Sequence, residues 1–261
     1  MQVSLSGRTA VITGGSKGLG LAMAERFLKS RAAGVAILAR SQGPLDEAKA
    51  KLEALGLGKV AAIACDVATA EGIKKGYDGA MAALGRIDIV VNNAGQSRTG
   101  PFESITDEIW QEDLDLKLFG AIRLTRLAMP GMVERKFGRI INVVSIQAKA
   151  QGPSSTPTSV SRAAGMALTK ALAGEGGPHG VLCNAMLVGW YKTDQFIRRH
   201  QRVAPEKSFE EYMQPWIARI PVRRVGEPEE FANMACFLAS DAASYVNGTA
   251  INMDGGASPV V

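Results

Sequence analysis

The segment Thr13-Gly14-Gly15-Ser16-Lys17-Gly18-Leu19-Gly20 has the residue types and spacing to hold a phosphate. It follows a short apolar run and opens an amphipathic one. Glycine at 14, 18 and 20 lets the backbone turn tightly and approach a bound group. The N-terminus of the helix that follows then aims unpaired N–H groups and the positive end of its dipole at an anion. A glycine-rich turn alone says little. Between a strand and a helix it is the context in which a turn binds the pyrophosphate of a dinucleotide. The next apolar run ends Ile37-Leu38-Ala39-Arg40-Ser41. An acid there would bind the ribose 2′-hydroxyl of NAD and repel a 2′-phosphate. Arg40 stands in its place, and Lys17 is within reach from the turn, so the pair suits the 2′-phosphate of NADP.

These residues need elements to position them. Short apolar runs at Thr9–Ile12, Val35–Ala39, Val60–Cys65, Ile87–Val91, Ile140–Val144, Val181–Met186 and Ala250–Met253 read as strands. Most are apolar at every position, as strands covered on both faces should be. Amphipathic stretches alternate with them, among them Leu19–Leu28, Leu45–Leu55, Leu114–Met132 and Ala163–Leu172. The alternation predicts an α/β fold, Rossmann-type: a doubly wound, mostly parallel sheet with helices on both faces and ligands at the carboxyl ends of the strands. No linker or repeat divides the chain, so residues 1–261 are expected to form one dinucleotide-binding domain. The segment from about Gly189 to Val222 lacks strand signals. It reads either as a helical excursion with its own small core or as a substrate lid leaving a strand's carboxyl end.

Composition narrows the function classes. Of 261 residues, 46% are apolar and 21% charged, the balance of an ordinary globular protein. No apolar run reaches the ~18–20 residues of a membrane span. Met1–Leu5 lacks the basic and apolar regions of a signal peptide, so a cytoplasmic setting without membrane partners is expected. Cys65, Cys183 and Cys236 form no pair or cluster and read as buried small hydrophobes. With two histidines, His179 and His200, no metal site is expected. The densest basic stretch, Arg198-Arg199-His200-Gln201-Arg202, reads as a solvated helix face and not a nucleic-acid patch.

From end to end the sequence resembles the short-chain dehydrogenase/reductase family, and within it the 3-oxoacyl-ACP reductases. Gly14-x-x-x-Gly18-x-Gly20 has that family's spacing. Asp66-Val67 matches its adenine contact and Asn92-Asn93-Ala94-Gly95 its NNAG segment. Asn184-Ala185 followed by Gly189 and Thr193 resembles the loop at its nicotinamide end. Arg224–Glu230, Phe237–Ser240 and Asp254-Gly255-Gly256 resemble its C-terminal signature. The resemblance implies a nicotinamide cofactor, hydride exchange between a carbonyl and an alcohol, and a homodimer or homotetramer.

The same resemblance exposes a break at the catalytic centre. The family's tetrad is Asn, Ser, Tyr and Lys, the last two spaced as YxxxK. Ser145 lies thirteen residues before the tyrosine's place, as the family spacing requires, but that place holds Thr158. Arg162 stands for the lysine and Lys117 for the asparagine. A phenol titrates near ~10 and can be tuned toward neutral pH. A threonine hydroxyl is a far weaker acid and cannot replace it. Arg162 can bond the nicotinamide ribose and hold positive charge over the site, but it stays protonated. Lys117, partly buried beside another cation, can have its pKa lowered substantially. Ser145 would donate to a carbonyl oxygen, with a proton from water held by Lys117 or Arg162. Tyr191 reads as an alternative phenol donor or as packing beside Trp190.

Lys117 and Arg162, with Lys149 and Lys192 on nearby loops, would favour an anionic substrate or a developing oxyanion. Val188 stands where the family usually has proline, which would leave that loop's backbone less constrained. The expected activity is NADP-dependent hydride exchange with a small carbonyl or alcohol, with Ser145, Lys117 and Arg162 replacing the usual relay. Two rivals remain open. One is lyase, aldolase or isomerase chemistry on Lys117 and Ser145; the other is a catalytically silent NADP-binding protein.

Overall fold

The computed structural model describes residues 3–261; Met1 and Gln2, at the head of the stretch read for a targeting signal, lie outside them. Seven strands form one sheet in the order β3-β2-β1-β4-β5-β6-β7, every neighbouring pair parallel. They are β1 (Thr9–Thr13), β2 (Gly34–Ala39), β3 (Lys59–Ala64), β4 (Ile89–Asn92), β5 (Gly138–Ser145), β6 (Val181–Val188) and β7 (Ala250–Met253). All seven predicted strands are present. The central β1 and β4 are buried along their length, while the edge strands β3 and β7 are partly exposed.

Nine α-helices are described: α1 (Gly18–Lys29), α2 (Gln42–Glu53), α3 (Ala70–Leu84), α4 (Asp107–Leu114), α5 (Gly120–Glu134), α6 (Thr158–Gly176), α7 (Asp194–Val203), α8 (Phe209–Ile217) and α9 (Pro228–Ala239). Alternate side chains of one strand serve opposite faces of a sheet. In β1, Ala10 and Ile12 join the core under α1, α2 and α9, around Phe27, Leu45 and Phe231. Val11 joins the opposite core with Ile73 of α3 and Leu124 of α5. Both faces are therefore covered, which is why these strands read as continuous apolar runs. All three cysteines are buried and free.

The predicted helix over 114–132 needs correction. It is two helices, α4 and α5, joined by a π turn at Asp115–Phe119. A π turn takes in one extra residue per turn and is frequent at functional sites. Here it leaves Lys117 buried while Phe119 stays 38% exposed. Val188 also departs from expectation: it pairs with Met253, and Gly189 N donates to Met253 O at 3.1 Å, so the ladder fixes the backbone that proline would have fixed. Between Gly189 and Val222, α7 and α8 form the predicted helical excursion. Tyr212 and Met213 pack there with Trp190, Phe196, Phe209 and Trp216.

At the amino end of the sheet, Asp88 is fully buried and pins β1 to the start of β4. Its carboxylate accepts from Thr9 N at 3.0 Å and from Arg86 Nη2 at 2.7 Å, with Arg135 Nε at 3.5 Å. Asp88→Ala should lower the urea unfolding free energy by about 2–4 kcal/mol, because the amide and two guanidinium groups lose a shared charged acceptor. A loss below about 0.5 kcal/mol, the range of a neutral surface change, would show that the pin is dispensable.

Candidate active site

Strand order reverses between β1 and β4, and neighbouring crossovers leave to opposite faces. A crevice must open at their carboxyl ends. It has a volume of about 300 Å³, floored by Gly14, Ser16 and Lys17 of the glycine turn and by Ala94 and Gly95 after β4. Arg40 and Ser41 line one end, with Val67 on the far wall. Gly18, Leu19 and Gly20 form the first residues of α1. A Cβ on Gly20 would lie 2.2 Å from Gly14 O, so the turn closes onto its helix only with glycine there. Asn93 locks the arrangement: its Nδ2 donates to Thr13 O (2.9 Å) and Gly14 O (3.2 Å), tying the β4 loop to the turn. Two cations, backbone N–H groups and a helix N-terminus thus converge on one cleft, the setting in which an anion such as a dinucleotide's pyrophosphate binds.

Asp66 borders this cleft between Cys65 and Val67, with Oδ1 accepting from Ala68 N at 3.0 Å. Thr193 precedes α7 and approaches the glycine turn, 3.6 Å from where a Gly18 Cβ would be. Gly189 packs on Asp254, so the resemblance's nicotinamide-end loop and its C-terminal signature meet. Arg198 of α7 is exposed, as expected of a solvated helix face, and also lines this cleft.

Beyond Gly95 lie the residues that the resemblance aligns with the family's tetrad. Ser145 ends β5, and its Oγ accepts from Gln147 N at 3.2 Å, which uses a lone pair and leaves the O–H hydrogen to donate. Arg162, on the second turn of α6, donates from Nη1 to Val143 O at 2.8 Å. Its Nη2 lies 2.3 Å from where a Cβ on Gly95 would be, so only glycine admits the guanidinium beside the cleft. Burial pushes its pKa down to about 10, opposed by Asp113, and it stays charged at neutral pH.

Lys117 lies just behind. Its side chain is 1% exposed and its Nζ is ion-paired with Asp113 Oδ1. The same Nζ donates to Thr158 Oγ1 at 2.7 Å. Burial, then the Arg162 charge, lowers its pKa to about 8, with Asp113 pulling the other way and Arg98 adding to the fall. Thr158 is saturated: its one hydrogen goes to Arg98 O at 2.6 Å, and its lone pairs accept from Lys117 Nζ and from Arg98 N at 3.0 Å. Its hydroxyl therefore orients Lys117 and has no hydrogen free for a ligand.

Three residues weighed as alternative contributors are elsewhere. Tyr191 is buried against Phe231, ring centroids 5.4 Å apart, and burial followed by Glu230 and Asp254 raises its pKa, so it is a packing residue. Lys149 turns to β7, donating to Ala250 O (2.8 Å) and Asn252 Oδ1 (2.9 Å). Lys192 is exposed over the Phe209 ring. Both loop lysines miss the pocket because each has a nearer partner. In turn, the sequence reading missed Asp113 and Ser161, whose Oγ donates to Asp113 Oδ2 at 2.6 Å. The available signal was spacing: Asp113 precedes Lys117 by four residues, one helical turn.

Comparison with known proteins agrees with this geometry. Residues 14–258 match the family model described as enoyl-(acyl carrier protein) reductase. Acetoacetyl-CoA reductase of Rhizobium meliloti is 36% identical over 249 residues, covering 95% of this chain and 98% of that protein. L-sorbose reductase of Gluconobacter frateurii, solved with NADPH and L-sorbose, superposes with a TM-score of 0.95 at 34% identity, each chain covered fully. A short-chain oxidoreductase from Pseudomonas aeruginosa PAO1, described as containing an atypical catalytic center, superposes with a TM-score of 0.92 at 35% identity, covering 99% of this chain and 100% of that one. Fold, glycine turn and relatives converge, and the chain belongs to the short-chain dehydrogenase/reductase family of oxidoreductases.

Proposed function

We propose that this protein is an NADP-dependent reductase of a small carbonyl compound, working without the family's tyrosine. The observation that carries the reading is Arg162 and Lys117 side by side at Gly95 in the cleft floor, with Ser145 at the carboxyl end of β5, two residues beyond the Val143 carbonyl that holds Arg162. Lys17 and Arg40 at the cleft's end fit a 2′-phosphate, and the similar L-sorbose reductase was solved with NADPH. When bound, the reduced nicotinamide supplies a hydride.

The chain's residues supply the rest. Ser145 donates to the carbonyl oxygen. Arg162 holds positive charge where the alkoxide develops and reaches toward the nicotinamide ribose. Lys117 adds a second cation and, with its lowered pKa, holds a proton that water can carry to the product oxygen. Preorganised donors of this kind are worth about 10²–10³ in turnover each. Two cations at one centre favour an anionic carbonyl substrate. Residues 189–222 act as a lid within a single domain, a reading supported by Thr193 on the glycine turn and Arg198 in the cleft. Assembly as a homodimer or homotetramer rests on the family alone. A Schiff-base role requires an amine open to a carbonyl carbon, and the burial and pairing of Lys117 speak against it.

Three results test this reading. NADPH consumption should be measured over a carbonyl panel that includes acetoacetyl-CoA and L-sorbose. Turnover with at least one member, falling about 10²–10³-fold in Ser145→Ala with NADPH affinity unchanged, is expected. Tight NADPH binding with no turnover across the panel would leave a silent binding protein. Arg40→Asp should weaken NADPH binding by about ten- to hundredfold and leave NADH nearly unaffected; equal losses for both cofactors would remove the 2′-phosphate assignment.

The pH dependence has a fixed sign. The Lys117 cation is present below its pKa of about 8 and is lost as pH rises through it. The reduction rate should fall on the alkaline side with a midpoint near 8. That limb should vanish, with turnover down about 10²-fold or more, in Lys117→Met combined with Asp113→Leu, which removes both partners of that ion pair together. An unchanged profile would remove Lys117 from the chemistry.

A further inference from the structure

Asp113 is 3% exposed in the last turn of α4, an acid where a helix packed on a neighbour normally carries an apolar residue. Each of its oxygens has one partner: Oδ1 takes the Lys117 ammonium, and Oδ2 accepts from Ser161 Oγ at 2.6 Å. Ser161 is 1% exposed and lies three residues, one helical turn, after Thr158 on α6. Both side chains therefore face α4. The four polar groups form a continuous chain between the helices, running from the Ser161 hydroxyl through the Asp113 carboxylate and the Lys117 ammonium to the Thr158 hydroxyl. The π turn helps to carry Lys117 into it. The next residue of α6 after Ser161 is Arg162, which turns instead to the cleft.

We propose that Asp113, anchored by Ser161, is the positioning residue of this active centre, holding the Lys117 ammonium behind the cleft and against Thr158. The proposal rests on the functional reading above and adds residues that touch neither substrate nor cofactor. A lysine buried with two arginines and no acid would be forced toward its neutral form or out of the site. The charged groups facing Lys117 are Asp113 from α4, Arg162 from α6 and Arg98 from the loop after β4. Asp113 alone among them favours the ammonium. It lets the centre carry a second cation beside Arg162, and Ser161 stops the carboxylate from swinging away to another donor. Thr158 in the tyrosine's place then follows from the same arrangement, since its short side chain bridges Lys117 to the Arg98 backbone.

The test reads Lys117 directly, by NMR titration of its ¹⁵Nζ in the full-length protein without substrate. Asp113→Asn should lower the Lys117 midpoint by about one unit or more, the ordinary effect of removing an opposite charge in contact. Asp113→Glu should restore most of it. Ser161→Ala is milder and should move the midpoint in the same direction by a smaller amount; it keeps the test decisive if Asp113→Asn does not fold. NADPH affinity should be unchanged in all three, because none of these side chains lines the cleft. An unmoved Lys117 midpoint in both Asp113→Asn and Ser161→Ala would overturn the proposal. If the midpoint moves and the alkaline limb of turnover does not follow, the positioning role stands and the assignment of Lys117 to the chemistry fails.

Discussion

The Lys117 ammonium is a charge taken almost completely out of water, and the surrounding structure is arranged around that constraint. An unpaired buried ion costs several kcal/mol, so the site must supply a counter-charge and further hydrogen-bond acceptors close by. Asp113 and Thr158 do so from two different helices. The π turn between α4 and α5 brings the lysine inward, and Ser161 fixes the acid. Loss of the phenol and gain of a lysine are thus parts of one arrangement. The space between α4 and α6 is filled by a polar chain with its hydrogen bonds satisfied.

This arrangement changes how the site handles charge but not where it sits. The reversal of strand order between β1 and β4 still opens the crevice, and Asn93 still ties the fourth strand's loop to the glycine turn. Arg162 enters beside Gly95, where any side chain would collide with it. Fixed positive charge in a dry site can stabilise a developing alkoxide at no reorganisation cost, whereas a phenol supplies a proton as well. In the proposed reaction the proton comes from Lys117 or from water that it orders, and its lowered pKa of about 8 suits that proposed role.

Much of the fold was legible because strands buried on both faces have no polar alternation to confuse. All seven strands were readable, and so was the dinucleotide turn, whose meaning comes from its strand and helix neighbours. The expectation of a break at Thr158 and Arg162 came from family spacing alone. Other features were not. The π turn leaves no mark in a helical periodicity, so 114–132 read as one helix. Asp113 looked like any helix-surface acid until α6 was packed against it. Lys149 and Lys192 were placed on loops near the pocket by sequence; Lys192 is exposed, as a solvated loop lysine would be, while Lys149 donates to a β7 carbonyl that the sequence does not reveal. Arg198 was read as solvated and is exposed, but nothing local shows that it also lines a cleft built from the other half of the chain.

The central claim is that hydride moves through this site although the phenol is gone. The most direct measurement is isotope transfer. The protein is incubated with NADPH carrying deuterium at both C4 positions and a carbonyl substrate that it turns over, and the alcohol product is analysed by mass spectrometry. The account predicts one deuterium on the carbinol carbon in product from the native protein, with formation slowed in Ser145→Ala. Product formed without deuterium would mean that the site performs chemistry other than hydride transfer, and the account would fail.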